Sequence, residues 1–155
     1  MTSRLQDEIK QGKPFSSRAT EAMLSILRTA AMLEHATAET LRPFGITPTQ
    51  HNVLRILRGA GPSGLCGREV GERLVARVPD VPRLLDRMEA MHLVTRERDA
   101  ADRRHVTARI TPKGLQLLDQ VTPALERFER SHLAQLDDRM LQDLVDGLAA
   151  IREAL

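Results

Sequence analysis

Apolar residues recur every three or four positions through most of this chain. Residues 17–41 carry such a stripe, which predicts an amphipathic helix. Pro43 and Gly45 end this helix, because proline removes a backbone donor and glycine permits a left-handed turn. Thr47 and Pro48 then open a second helix as a cap and a first-turn proline. After the Gly/Pro-rich break at 59–64, a strand is predicted at 65–66 and a short helical segment at 68–74.

The helix predicted at 79–91 has the clearest buried stripe of the chain. Its apolar positions are Val81, Leu84, Leu85, Met88 and Met91. The period then changes to two, which predicts strands at 93–98 and 105–110 joined by a polar, charged hairpin tip. The pattern thus places a hairpin directly after this helix.

Two more helices are predicted in the C-terminal part. Thr111 and Pro112 open a long helix to about residue 132, in which Pro123 should cause a kink or a break. A last helix at 137–154 has apolar residues at spacings of three and four, typical of a coiled-coil seam: Leu141, Leu144, Leu148, Ile151 and Leu155. The first dozen residues are polar and are expected to be irregular. The fold class is therefore mainly α with a small β-wing, a winged helix-turn-helix core between long terminal helices.

Composition narrows the class of protein. The 155 residues suit one ordinary domain. No apolar run approaches the roughly 20 residues of a membrane helix, and the polar start lacks a signal-peptide stretch, so no membrane partner and a cytoplasmic location are expected. Cys66 is the only cysteine, and the five histidines show no zinc-binding spacing. No metal or other cofactor is predicted.

Arginine dominates the positive charge. The net charge is only +2, but twenty of the 23 basic residues are arginine. Arginine suits bidentate contacts to phosphate or guanine, whereas a high-GC genome would also enrich it. Only the placement of these arginines can separate the two explanations.

Arg83 and Arg87 lie one turn apart on the polar face of the 79–91 helix, and Arg77, Asp80 and Pro82 lie at or near its start. N-terminal residues of a recognition helix contact base edges in the major groove. Asp86 and Glu89 are expected to pair with arginines three or four positions away. A solvated helix face explains the same pattern equally well.

Arg103 and Arg104 lie together in the predicted hairpin tip, where arginine can enter a narrow minor groove. A charged loop that keeps an edge hairpin soluble is the alternative. The basic helix and the basic hairpin, in this order and close in sequence, together favour DNA binding.

Residues 46–114 resemble the multiple-antibiotic-resistance regulator (MarR) family of bacterial transcription factors. The resemblance is carried by LLDRME at 84–89, HLVTR at 92–96, DRR at 102–104 and ITPKG at 110–114. It implies a single MarR-type domain over 1–155. Within it, 1–45 would be an N-terminal arm and dimerisation helix, 46–111 the winged helix-turn-helix lobe, and 112–155 the C-terminal dimerisation helices.

The resemblance also implies a function. Members are homodimers that bind pseudo-palindromic sites in double-stranded DNA, mostly as repressors, and many release DNA when a small aromatic or phenolic effector binds. Arg103 or Arg104 would enter the minor groove. The residues that would face the major groove are Arg77, Pro79, Asp80, Val81, Pro82, Arg83 and Arg87.

The sequence departs from the family pattern at the start of this helix. The family often has Ser or Thr at the positions of Arg77, Pro79, Asp80 and Pro82, and Gly at the position of His92. Pro79 and Pro82 cannot donate backbone hydrogen bonds. The base contacts must therefore differ from those of the usual family pattern.

An effector site and two alternative functions complete the predictions. A surface salt bridge or a satisfied core polar group is the favoured alternative for each of the candidate effector-binding residues, which are Arg28, Met32, His35, His51 and Arg55. Cys66, close before a helix start, suggests a redox-sensing regulator, with a buried inert thiol as the alternative. A winged-helix protein-interaction module without DNA binding is the other alternative. The chain has no nucleophile elbow or P-loop, so it is not expected to be an enzyme.

Overall fold

The computed structural model describes residues 4–98 and 106–155. The chain divides between Thr49 and Gln50 into two compact units. Within the described residues, no helix is both long enough and apolar enough to cross a membrane.

The N-terminal unit is helical. Helix α1 spans Arg4–Glu8, and α2 spans Arg18–Leu41, with Ser17 as its N-cap. The Ser17 Oγ accepts a hydrogen bond from the Thr20 N–H at 3.0 Å. A 3-10 turn at Arg42–Phe44 then ends at Gly45, which has a φ of 72°. The proline and glycine therefore end the helix as predicted.

Helix α1 corrects the expectation that the first dozen residues are irregular. Leu5 and Gln6 are buried, and the Gln6 amide Nε2 donates to the Gln11 carbonyl at 3.1 Å. A helix of only five residues contains too few apolar positions to show a period. Its order comes from this burial and local hydrogen bonding rather than from helix propensity.

The second unit contains the predicted winged helix-turn-helix order. Three helices, the first of them followed by a 3-10 turn at Gly61–Ser63, precede a pair of strands, and two further helices follow these strands. The elements are α3 Pro48–Ala60, β1 Leu65–Cys66, α4 Gly67–Arg73, α5 Val81–Ala90, β2 Val94–Arg98, β3 Val106–Ile110, α6 Pro112–Leu133 and α7 Asp138–Glu153.

The three strands form one antiparallel sheet in the order β1-β3-β2. Leu65 pairs with Ala108, and Val94 pairs with Ile110. Gly64 precedes β1 with a φ of 66°, and a Cβ there would collide with the Ala108 carbonyl. The strand at 65–66 is confirmed, whereas the hairpin tip with Arg103 and Arg104 lies outside the described residues.

The core of the second unit is apolar and joins helices to sheet. Its buried residues are Val53, Leu54, Leu57, Leu65, Val70, Leu85, Met88, Leu93, Val94, Ala108, Leu118 and Val121. Of the two outcomes predicted for Pro123, the break does not occur, because α6 continues through it. Asp119, whose carbonyl loses its helical donor, is exposed and therefore open to water.

Candidate nucleic-acid interface

Helix α5 begins two residues later than predicted, because Asp80 is its N-cap. Asp80 has a non-helical φ of −138° and ψ of 79°, and its Oδ1 accepts from the Arg83 N–H at 2.9 Å. Pro82 has no N–H at all. These two features remove donors from the helix start, so side chains must supply most contacts to a nucleic acid there.

Arginine side chains dominate the exposed face of α5. Pro82, Arg83 and Arg87 are all exposed, as are Arg77, Pro79 and Asp80 in the preceding connection. In the described part of the chain, no residue forms an ion pair with the side chain of Arg83 or Arg87. Both guanidinium groups are therefore available to a ligand.

Val81 does not share this outward face. It is half-buried, and a Cβ placed on Gly71 would lie 3.3 Å from its Cγ2 atom. Val81 thus packs against α4 rather than pointing outward. The connection between α4 and α5 is also held by the Asn52 side chain, whose Oδ1 accepts from the Val75 N–H at 2.9 Å.

The two carboxylates of α5 bind an arginine that the sequence analysis did not single out. Arg96, on β2, donates to Glu89 from its backbone N (3.0 Å), its Nε (3.1 Å) and its Nη2 (2.8 Å). The same Nη2 contacts Asp86 Oδ1. The expectation that these carboxylates pair within the helix is therefore wrong, since the turn after α5 brings β2 back beside them.

This cluster also affects the Arg96 side chain itself. Its hydrogen bond to Glu89, followed by the charges of Glu89 and Asp86, raises the pKa of Arg96 above its ordinary value, although burial opposes the shift. Arg96 is therefore charged at every physiological pH. These contacts attach β2 to α5, the helix that carries the exposed Arg83 and Arg87.

The C-terminal end of α5 forms a Schellman motif. The His92 N–H donates to the Glu89 carbonyl at 2.8 Å, and the Leu93 N–H donates to the Met88 carbonyl at 3.0 Å. His92 adopts a left-handed φ of 61°. Only glycine adopts this conformation without steric cost, which explains why glycine suits this position.

Further side chains fix the sheet against its surroundings. Arg109 donates from Nη1 to Glu97 at 2.7 Å and from Nε to the Pro62 carbonyl at 2.7 Å. At the other end, the Thr111 hydroxyl donates to the His92 carbonyl at 2.7 Å. The strands therefore have a defined position relative to α5.

Comparison with known proteins agrees with this arrangement. The model of the MarR family matches residues 44–105. The chain is 30% identical over 114 residues to YkoM, an uncharacterized HTH-type transcriptional regulator of Bacillus subtilis (strain 168), covering 70% of this chain and 72% of that protein. The chain belongs to the MarR family. It is accordingly a DNA-binding transcription regulator and not an enzyme.

Two solved structures are also similar. A MarR transcription factor from Planctomyces limnophilus is 29% identical with a TM-score of 0.69, covering 91% of this chain and 99% of that one. BpsR of Bordetella bronchiseptica is 25% identical with a TM-score of 0.73, covering 84% and 98%. The BpsR structure concerns regulation of DNA binding by 6-hydroxynicotinic acid. The winged helix fold predicted from the sequence is thereby confirmed.

Two of the five candidate effector-binding residues come together in this MarR protein. His51 and Arg55 line a cavity of about 180 Å³, smaller than the roughly 300–1,000 Å³ of ordinary ligand pockets. Its other lining residues, on α3 and α6, are Arg58, Leu118, Thr122, Leu125, Glu126 and Glu129. Arg28, Met32 and His35 are exposed on α2 in the N-terminal unit.

His51 has an unfavourable environment for its charged form. Burial, followed by the nearby positive charges of Arg55 and Arg58, lowers the pKa of His51 from its ordinary value. His51 therefore favours its neutral form near pH 7 and offers a hydrogen-bonding imidazole beside the Arg55 guanidinium. Glu126 and Glu129 line the same cavity, so it presents acidic as well as basic groups to a ligand.

Cys66 lies directly before α4, at a helix start as the redox-sensing alternative assumed. It is the N-cap residue of α4, is half-buried and forms no disulfide. Its backbone N–H donates to Glu69 Oε2 at 2.9 Å. This contact lowers the pKa of Glu69, so a carboxylate rather than a cation is the charged group bonded to the Cys66 backbone.

Proposed function

We propose that this protein is a homodimeric, ligand-responsive repressor that binds a pseudo-palindromic promoter site. Helix α5 of each subunit would enter the major groove, and Arg103 or Arg104 would enter the adjacent minor groove. One observation carries the proposal: Arg83 and Arg87 are exposed and unpaired by any described residue, while Arg96 occupies the neighbouring carboxylates. Arginine in this position can bind guanine bidentately, worth about 1–3 kcal/mol of discrimination per base pair.

The proposed readout differs from one based on hydroxyl groups. Arg77, Pro79 and Pro82 are exposed around the helix start, but the prolines offer only apolar contact and Asp80 is occupied as a cap. Val81 would act by positioning α5 on α4 rather than by contacting bases. We therefore assign sequence discrimination mainly to Arg83 and Arg87.

Dimerisation is supported by the C-terminal helix. Among the residues of α7, none is buried in the single chain, although Met140, Leu144, Val145 and Ile151 are large and apolar. Such a helix is stabilised by a partner that covers it. A two-fold dimer would place two copies of α5 about one DNA turn apart.

In this dimer, three segments of the chain would have different roles. Residues 1–45 would form the N-terminal arm and dimerisation helix, 46–111 the DNA-binding lobe and 112–155 the C-terminal dimerisation helices. Together these segments would form the single MarR-type domain of 1–155.

The proposed effector is a small aromatic or phenolic compound. His51 and Arg55 would bind its polar groups at the cavity between α3 and α6. The similarity to BpsR, whose DNA binding is regulated by 6-hydroxynicotinic acid, supports this chemical class.

DNA binding is tested with Arg83→Ala/Arg87→Ala on a site selected from random duplex DNA by the wild-type protein. We expect loss of at least about 100-fold in affinity, measured by fluorescence anisotropy, because two charge-assisted contacts disappear. The wild-type affinity should fall steeply as salt rises, as phosphate contacts require.

Arg42→Ala is the matched control, because it removes an exposed arginine from the 3-10 turn after α2 and not from α5. It should bind the selected site within about threefold of wild type. Undiminished binding by the double variant, with the same oligomeric state in solution, would refute α5 as the reading helix.

A further inference from the structure

We propose that Arg96 is a positioning residue of the DNA interface. By binding Asp86 and Glu89, it keeps their negative charge from opposing the contact of Arg83 and Arg87 with DNA. The inference rests on the proposed function, in which α5 enters the major groove.

The charge balance of α5 makes such a residue necessary. The helix contains two arginines and two carboxylates, so it has no net charge of its own. Asp86 also lies three positions after Arg83, a spacing at which the two side chains pair when nothing else intervenes. Arg83 would then be turned toward Asp86 instead of toward a phosphate or a base.

In the structure the Asp86 carboxylate contacts Arg96, and no described residue forms an ion pair with Arg83. Its Nη2 contacts both Asp86 Oδ1 and Glu89 Oε2, and its Nε adds a second bond to Glu89. The Arg96 side chain is only 24% exposed, compared with 58% for Asp86. The cation thus lies behind the carboxylates, on the sheet side, where it does not compete with Arg83 and Arg87 for DNA.

The planar guanidinium is what allows one residue to hold two carboxylates. Its fork presents several donors in fixed directions, whereas lysine offers a single compact charge. We therefore expect lysine to replace Arg96 only in part. Its charge would still compensate Asp86 and Glu89, but it would contact both carboxylates at once less well.

The test uses full-length variants on the DNA site selected by the wild-type protein. Arg96→Met should bind at least about tenfold more weakly at low salt, because two uncompensated carboxylates then lie near phosphates. The deficit should shrink as salt rises, since screening weakens this repulsion. Arg96→Met/Asp86→Asn/Glu89→Gln should recover to within about threefold of wild type, because the repulsive charges are gone.

Arg42→Met is the matched control. It breaks the exposed Arg42–Glu39 ion pair, which lies outside the proposed DNA-binding lobe, and frees no carboxylate on α5 or β2. Its affinity should stay within about threefold of wild type, with Tm values recorded for every variant. Should Arg96→Met fail to fold, Arg96→Lys replaces it, with a deficit of about three- to tenfold that Asp86→Asn removes.

A triple variant that stays as weak as Arg96→Met would overturn the inference, because Arg96 would then act only by holding the fold together. Full affinity of Arg96→Met at low salt would overturn it as well. Neither result touches the proposed function, which fails only if Arg83→Ala/Arg87→Ala retains binding.

Discussion

At the scale of single residues, His92 and His51 each sit in an environment that disfavours an ordinary histidine. His92 has a left-handed backbone at the end of α5, and His51 is partly buried next to Arg55 and Arg58. At His92 the cost is the strained backbone conformation, and at His51 it is the disfavoured protonated form. The first is tested by substitution and the second by the pH dependence of stability.

Replacing His92 by glycine should stabilise the protein. The left-handed conformation costs an L-residue about 1–2 kcal/mol, partly offset by the greater freedom of glycine in the unfolded chain. We expect the free energy of unfolding to rise by up to about 1 kcal/mol in His92→Gly and to fall by about 1–2 kcal/mol in His92→Val. Urea unfolding measures both, and equal stabilities of the two variants would contradict the argument.

His51 should make the protein less stable in mild acid. The unfolded chain protonates this side chain near pH 6.5, whereas the folded chain does so only at a lower pH. The unfolded state therefore binds more protons as the pH drops below 6.5, and the free energy of unfolding falls until the folded pKa is passed. Above pH 6.5 the residue contributes no pH dependence.

The measurement compares wild type with His51→Gln, so that the two proteins differ only in this side chain. Thermal unfolding between pH 7.5 and pH 5 should show a smaller acid loss in the variant, which cannot gain the proton. Identical slopes for the two proteins would mean that the His51 pKa is not lowered by folding.

At the scale of elements, helix caps determine where the DNA-facing helix starts. Asp80 satisfies the Arg83 N–H, and the equivalent caps at α2, α6 and α7 are Ser17, Thr111 and Asp137. The periodic pattern predicts the cap at Thr111 but places Asp80 inside the helix at 79–91. At α5, however, the cap is a negative charge at a surface that we propose to contact phosphates.

Substitutions at Asp80 should separate capping from charge. Asp80→Ala should lose about 1 kcal/mol of stability, because the Arg83 N–H loses its acceptor. Asp80→Asn should keep the cap within about 0.5 kcal/mol and bind DNA several-fold more tightly, since one negative charge disappears. Thermal unfolding and fluorescence anisotropy test the pair, and weaker binding by Asp80→Asn would indicate a direct base contact.

At the scale of the whole molecule, the apolar residues of α7 require a partner in the proposed dimer. Leu144 is 47% exposed in the single chain. Burying such a side chain at an interface contributes about 1.5–3 kcal/mol, so introducing a charge there should be severely disruptive.

Leu144→Glu should therefore raise the dimer dissociation constant by roughly 100-fold or more, measured by analytical ultracentrifugation. The affinity for a two-half-site DNA should fall with it. Gln142→Lys is the control, because it adds a charge on the opposite side of α7 next to Asp146. A Leu144→Glu variant that remains dimeric would exclude this part of α7 from the interface.

The sequence by itself determined the elements and their order. Helical and alternating periods, the cap at Thr111 and the glycine at Gly45 are local signals, each contained within a few residues, and the structure confirms the elements that they predict. The short helix α1 was missed because five residues are too few to show a period.

Only the tertiary structure decided which charges on α5 are free. Sequence spacing assigned Asp86 and Glu89 to arginines on the same helix, whereas the turn at His92 brings Arg96 of β2 to both of them. It also decided that Val81 packs on Gly71 of α4. Contacts between different elements depend on how the chain folds back, and no periodic pattern records them.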